Sequence, residues 1–163
     1  MSHEQPARSA NPSARSLPEP HYWESLALGD CLVTTGLTIT EAHLLTWAGL
    51  TGDVVSFHLD AEYAASTQFG HRVAHGPLTL STSLGLVTQT GYFGNVVAWL
   101  GLDSVRAKKP VFIGDTIRVR ATIREARETS NPAHGVWVID YVTSNQHGDV
   151  VMTFTSSFLV RRA

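Results

Sequence analysis

Two short stretches hold the residues whose types and spacing suit chemistry: Gly52-Asp53-Val-Val-Ser-Phe-His58-Leu-Asp60 and Phe69-Gly-His71-Arg72-Val-Ala-His75-Gly76. Asp53 and His58 set a carboxylate near an imidazole, a usable acid/base pair close to neutral pH because histidine titrates there unaided. Gly76 directly precedes Pro77, a residue favoured at the first position of a helix. The unpaired N–H groups of a helix N-terminus favour developing negative charge, and a glycine there lets a carbonyl oxygen approach closely. Together the two stretches offer proton transfer beside an oxyanion-stabilising N–H. Spacing alone leaves another reading open, since an aspartate after glycine is commonly a turn or cap residue and a single histidine is commonly solvated or satisfied in a core.

Other residues also have two readings. His75 is either a pocket residue or a turn residue bonding the backbone ahead of the helix. His71 and Arg72 either meet an anionic ligand or sit in a solvated loop. Arg106, Lys108 and Lys109 form the main basic cluster, either for an anionic ligand or as solvated strand ends. Trp99 and Trp137 fit core or subunit contacts better than ligand stacking. The histidines lack HxxxH or HExxH spacing, so no metal site is expected.

These residues need elements to position them. Residues 31–39 are β-branched and loosely alternating, which predicts a strand. Thr38 and Glu41 have capping-box spacing ahead of a helix through Trp47. Asp53 and His58 then fall in a loop. A short helix covers Ala61 to Ser66, and a third starts at Pro77, runs through Leu78, Leu80, Leu84 and Val87, and stops at Gly91. Its small and Leu-rich faces predict burial on several sides. Strands are expected near 95–107, 115–127, 135–146 and 149–161, the last two joined by a hairpin at His147-Gly148-Asp149. A buried helix followed by long antiparallel strands predicts an α+β domain with the sheet wrapped on that helix. Residues 1–20, rich in Pro, Ser, Ala and Arg, read as a flexible tail ahead of a single domain over 21–163.

Composition narrows the function. The chain has 163 residues, 43% hydrophobic and 16% charged, with a net charge of −2. That balance fits one globular domain and gives no electrostatic footprint for nucleic acid. The lone Cys31 excludes an internal disulfide and suits a reducing compartment. No apolar run is long enough to span a membrane, and the N-terminal stretch lacks a signal-peptide core. A cytoplasmic location is the expectation.

Trp47 to Gly76 resembles the hydratase motif of the MaoC-like, (R)-specific enoyl-CoA hydratase family. That pattern is Gly-Asp-x-Asn-Pro-x-His-x-Asp, an Ala-rich helix, then His-Gly. Gly52-Asp53, His58, Asp60, Tyr63-Ala64-Ala65 and His75-Gly76 match it. Lys109-Pro110-Val111-Phe112-Ile113-Gly114-Asp115 looks like the family's strand-opening signature, and the likeness covers about residues 22–162. Two departures stand out. Val55-Ser56 replaces the family's Asn-Pro, and Leu84 stands where some members carry a serine in the central helix.

The resemblance implies a hot-dog fold, an antiparallel sheet wrapped around a long central helix. It also implies reversible syn addition of water to a trans-2-enoyl thioester of coenzyme A. Asp53 and His58 would hold the water, in roles that the sequence does not divide into acid and base, and the Gly76 N–H would steady the enolate-like oxygen. His75, Arg72, Arg106, Lys108 and Lys109 are the implied substrate contacts, with cations for the coenzyme's phosphates. No cofactor is expected, since coenzyme A is part of the substrate. The implied partners are the acyl-CoA thioester and a second copy of the chain, with a further assembly of dimers open; neither nucleic acid nor membrane is expected. Residues 97–106 look similar to branch members that hydrate dicarboxylic enoyl-CoAs. A hot-dog thioesterase and a non-catalytic acyl-CoA-binding protein are the alternatives.

Overall fold

The structure, a computed structural model, describes residues 21–163; the tail expected over residues 1–20 lies outside the described residues. In chain order the elements are β1 (Cys31–Val33), β2 (Leu37–Thr38), α1 (Glu41–Thr51), α2 (Ser56–Leu59), α3 (Ala61–Ala65), α4 (Gly76–Thr88), β3 (Val96–Ala107), β4 (Thr116–Glu128), β5 (His134–Ser144) and β6 (Val150–Arg161). All pairings are antiparallel, in the order β1-β4-β5-β6-β3, with β2 also beside β4. Helix α4 lies against this sheet, and its Leu78, Leu86 and Val87 join the core formed by Ile117, Val119, Ile139 and Tyr141. This is the α+β hot-dog arrangement.

The strands follow from alternation. In β4 the inward Ile117, Val119, Ala121 and Ile123 are buried while Arg118 and Arg120 are exposed. Strand β5, central in the sheet, is buried along most of its length. The hairpin from β5 to β6 turns at Asn145, whose side-chain oxygen accepts from the N–H groups of His147 and Asp149, both at 3.0 Å. Helix α4 is fastened to β5 by polar groups: the Ser83 hydroxyl donates to the Thr79 carbonyl at 2.7 Å and accepts from Thr143 at 2.8 Å.

The N-terminal elements depart from the sequence reading in three places. The strand expected over 31–39 is two short pieces, because Thr34 interrupts the ladder and its side-chain oxygen accepts from the Val119 N–H at 3.0 Å. Gly36 lies so close to β4 that a Cβ there would sit 2.8 Å from Thr116 Cγ2. The cap of α1 is Thr40 rather than Thr38, with His43 in the reciprocal place: the Thr40 N–H donates to His43 Nδ1 at 2.9 Å. Finally, α1 runs past Trp47 to Thr51 and ends at Gly52, whose φ of 76° turns the chain sharply.

Candidate active site

Helix α1 ends at Gly52, so Asp53 is the first side chain after the turn. Three residues of connection lead into α2, which carries His58; the imidazole expected in a loop is therefore on a single helical turn. Asp60 caps α3 by accepting from the Tyr63 N–H at 3.0 Å, so its place in the motif has a structural cause. The segment Val73-Ala74-His75 arrives beside them before entering α4. It is pinned by a bridge between Val73 and Phe112 and by the Ala74 N–H donating to the Val111 carbonyl at 2.7 Å.

One oxygen of Asp53 and one nitrogen each of His58 and His75 lie within 4.8 Å of one another. Among the described residues, no direct hydrogen bond joins the Asp53 carboxylate to His58. The separation suits a water bonded to both groups. His58 is 6% exposed, and its Nδ1 lies 2.6 Å from the Val73 carbonyl oxygen. A carbonyl only accepts, so Nδ1 carries the proton, and Nε2 is the lone-pair nitrogen of the neutral ring. Burial pushes the His58 pKa below its ordinary value, helped by the neighbouring His75, while the Val73 hydrogen bond and Asp53 work the other way.

His75 is 0% exposed, and its ring stacks on His58 with centroids 3.8 Å apart and planes 25° apart. Its Nε2 donates to the Asp53 main-chain carbonyl at 3.0 Å. It stands behind the cavity rather than in it. The stacking also bears on metal binding. An ion in the plane of one of two nearly parallel imidazoles lies above or below the other, so both cannot direct lone pairs at it. The donors are close enough for a metal, but the ring geometry does not fit one.

His58 and Gly76 share the wall of a cavity of about 370 Å³. Phe57, Phe69, Val73, Val111, Val151 and Met152 make most of the lining apolar, and the exposed Lys108 and Lys109 stand at its mouth. Lys109 is ion-paired with Asp149, whereas Lys108 has no carboxylate within ion-pair reach among the described residues. The other two expected cations sit elsewhere. Arg72 pairs with Glu41 at 2.8 Å and borders a separate depression with His71. Arg106 donates to the adjacent Val105 carbonyl at 2.8 Å and does not line the cavity. The sequence reading missed the Val73 carbonyl and the stacking of His75 on His58, since neither leaves a local pattern.

The family model described as "MaoC like domain" matches residues 27–144. The chain is 36% identical over 121 residues to "Protein MaoC" of Klebsiella aerogenes, a match covering 71% of this chain and 36% of that much longer protein. It is 32% identical over 103 residues to the (R)-specific enoyl-CoA hydratase of Rhodospirillum rubrum, covering 63% of this chain and 69% of the relative. Among solved structures, a monoamine oxidase regulatory protein from Archaeoglobus superposes with a TM-score of 0.82 at 36% identity, covering 88% of this chain and 96% of that one. With the family model spanning most of the described residues and the helix-wrapping sheet shared, the chain belongs to the MaoC-like family.

Proposed function

We propose that the protein is a hydro-lyase that adds water reversibly to a trans-2-enoyl-CoA, giving a 3-hydroxyacyl-CoA. The observation that carries this reading is the approach of the Asp53 carboxylate, which does not itself line the cavity, to the His58 imidazole, which shares the cavity wall with Gly76. Both side chains are acceptors, Asp53 as a carboxylate and His58 through Nε2. A water donating one hydrogen to each turns a lone pair toward carbon 3 of the substrate. As the C3–O bond forms, one acceptor takes a proton, and electron density moves through the former double bond onto the thioester oxygen. The Gly76 N–H and the positive end of α4 favour that oxygen's charge. The enolate collapses as carbon 2 takes that proton back from the acceptor that removed it, which restores the site. Addition from one face accounts for syn stereochemistry.

Lys108, without an ion pair among the described residues, is the cation best placed for a coenzyme phosphate. The apolar lining favours an apolar acyl chain over the dicarboxylic one, because the cations lining the cavity among the described residues, Lys108 and Lys109, are at its mouth. Strand β3 is one edge of the sheet, and it exposes Val97, Trp99 and Leu100 by 48%, 58% and 50%. A second copy covering this edge would make the homodimer.

The test is a panel of short, medium, branched and dicarboxylic enoyl-CoAs, with products identified by mass. Gain of one water on an apolar enoyl-CoA is the expected result. Release of free coenzyme A thiol would favour a thioesterase, and binding without turnover a carrier.

A further inference from the structure

The four residues Val73 to Gly76 touch every part of the site. Val73 offers its carbonyl to His58, Ala74 ties the segment to Val111, His75 bonds the Asp53 main chain, and Gly76 opens α4. Asp53 and His58 come from different elements, and no bond joins them. Their separation therefore depends on what each rests against, and both rest against His75. We propose that His75 is a positioning residue that sets the Asp53–His58 separation, holding Asp53 by its main-chain carbonyl and supporting the face of the His58 ring, without touching substrate. This inference rests on the hydration reading above.

The ring's own chemistry fits that work. Its Nε2 faces a carbonyl and must carry a proton, and its Nδ1 is buried with no hydrogen-bond partner among the described residues. A proton on Nδ1 would be a buried donor left unsatisfied against a neighbouring imidazole, so the surroundings favour the tautomer with the proton on Nε2. Asp53, in turn, has its backbone held at both its N–H and carbonyl, the N–H donating to Thr51 Oγ1 at 3.3 Å. The groups around His58 that titrate or carry charge are Asp53 after α1, His75 before α4, and Lys108 and Lys109 ahead of β4.

Nitrogen-15 NMR of the histidine rings and the kinetics of two variants test this. In the wild-type protein the His75 ring should carry its proton on Nε2, facing the Asp53 carbonyl. A His75 ring protonated on Nδ1 alone overturns the proposal. His75→Phe keeps a ring against His58 and removes the donor. Its kcat should fall about 10–100-fold with KM little changed, the scale expected of a small misplacement of reacting groups. His75→Gln restores a donor near the Nε2 position and should recover most of that loss. Burial is the main cause holding the His58 pKa down and His75 covers one face of that ring, so uncovering that face in the Gln variant should move the acidic limb of the kcat/KM profile to higher pH. A rise in KM alone, equal losses in both variants, or an unmoved acidic limb would each count against positioning. If the wild-type protein hydrates nothing in the panel, the hydration reading falls. The NMR titration of His58 in wild type and His75→Gln then still decides whether the two rings are coupled.

Discussion

Along β5 the side chains of Val136, Trp137, Ile139 and Tyr141 are each no more than 2% exposed, and neighbouring strands bond them on both edges. Between Gly52 and Gly76 the chain instead makes two short helices and several turns, and Val54, Val55 and Tyr63 are 66%, 50% and 51% exposed. The first region has redundant support: any one contact is a small part of a large buried surface. The second has almost none. The place of Asp53 depends on two backbone hydrogen bonds, and that of His58 on one carbonyl and one stacked ring. If the proposed site carries the chemistry, stability and activity are largely separated, and substitutions in the two regions should fail in different ways.

The largest contrast is expected from Asp53→Asn and His58→Ala. Each should lower kcat by about 10²–10⁴-fold, the usual range for one general acid–base group. The double variant should lose little more, since cooperating groups are non-additive. Thermal melting should stay close to wild type for Asp53→Asn; a large drop would mean that the carboxylate is structural and the division is false. Trp137→Ala tests the other side. It empties a fully buried site, removes a hydrogen bond from the indole to the Trp23 carbonyl at 3.1 Å, and should cost about 3–5 kcal/mol in denaturant titration. A cost below about 1 kcal/mol would show that the sheet core is looser than its burial implies. The smallest effect concerns Val55, which precedes α2 as its N-cap and makes no side-chain cap. Val55→Asn places a capping side chain there and should stabilise by about 1 kcal/mol. No gain in melting temperature would mean that α2 is held by its neighbours alone.

The same division explains what the sequence made legible. Strands β3 to β6 were readable because β-branched and aromatic residues alternate over ten or more positions, and a period that long tolerates errors at its ends. Helix α2 was not, since the four residues Ser56–Leu59 are too few to show a helical period and Val55 gives no cap signal. The start of α1 was misplaced by two residues because Thr38 and Thr40 each have a plausible partner three positions on, Glu41 and His43. Only the structure shows which pair bonds. In the site, Asp53, His58 and Gly76 could be named from residue type and motif. Arg72 could not be assigned, because nothing local reveals that Glu41 neutralises it. His75 was visible as a residue but not as a neighbour of His58, a contact made only when α4 docks.

Gly135 has a consequence for how the chain closes. A Cβ at that position would lie 2.5 Å from ring atoms of Trp23, so β5 leaves a gap that a residue far earlier in the chain fills. The indole N–H also donates to the Val136 carbonyl at 3.2 Å across a sequence separation of 113 residues. Bringing such distant residues together costs loop entropy that only an already assembled sheet can offset. In kinetic terms, Trp23 is expected to act as a late-closing latch on β5: a Trp23→Ala φ-value near 0 is the expected result, and a value near 1 would place it in the nucleus.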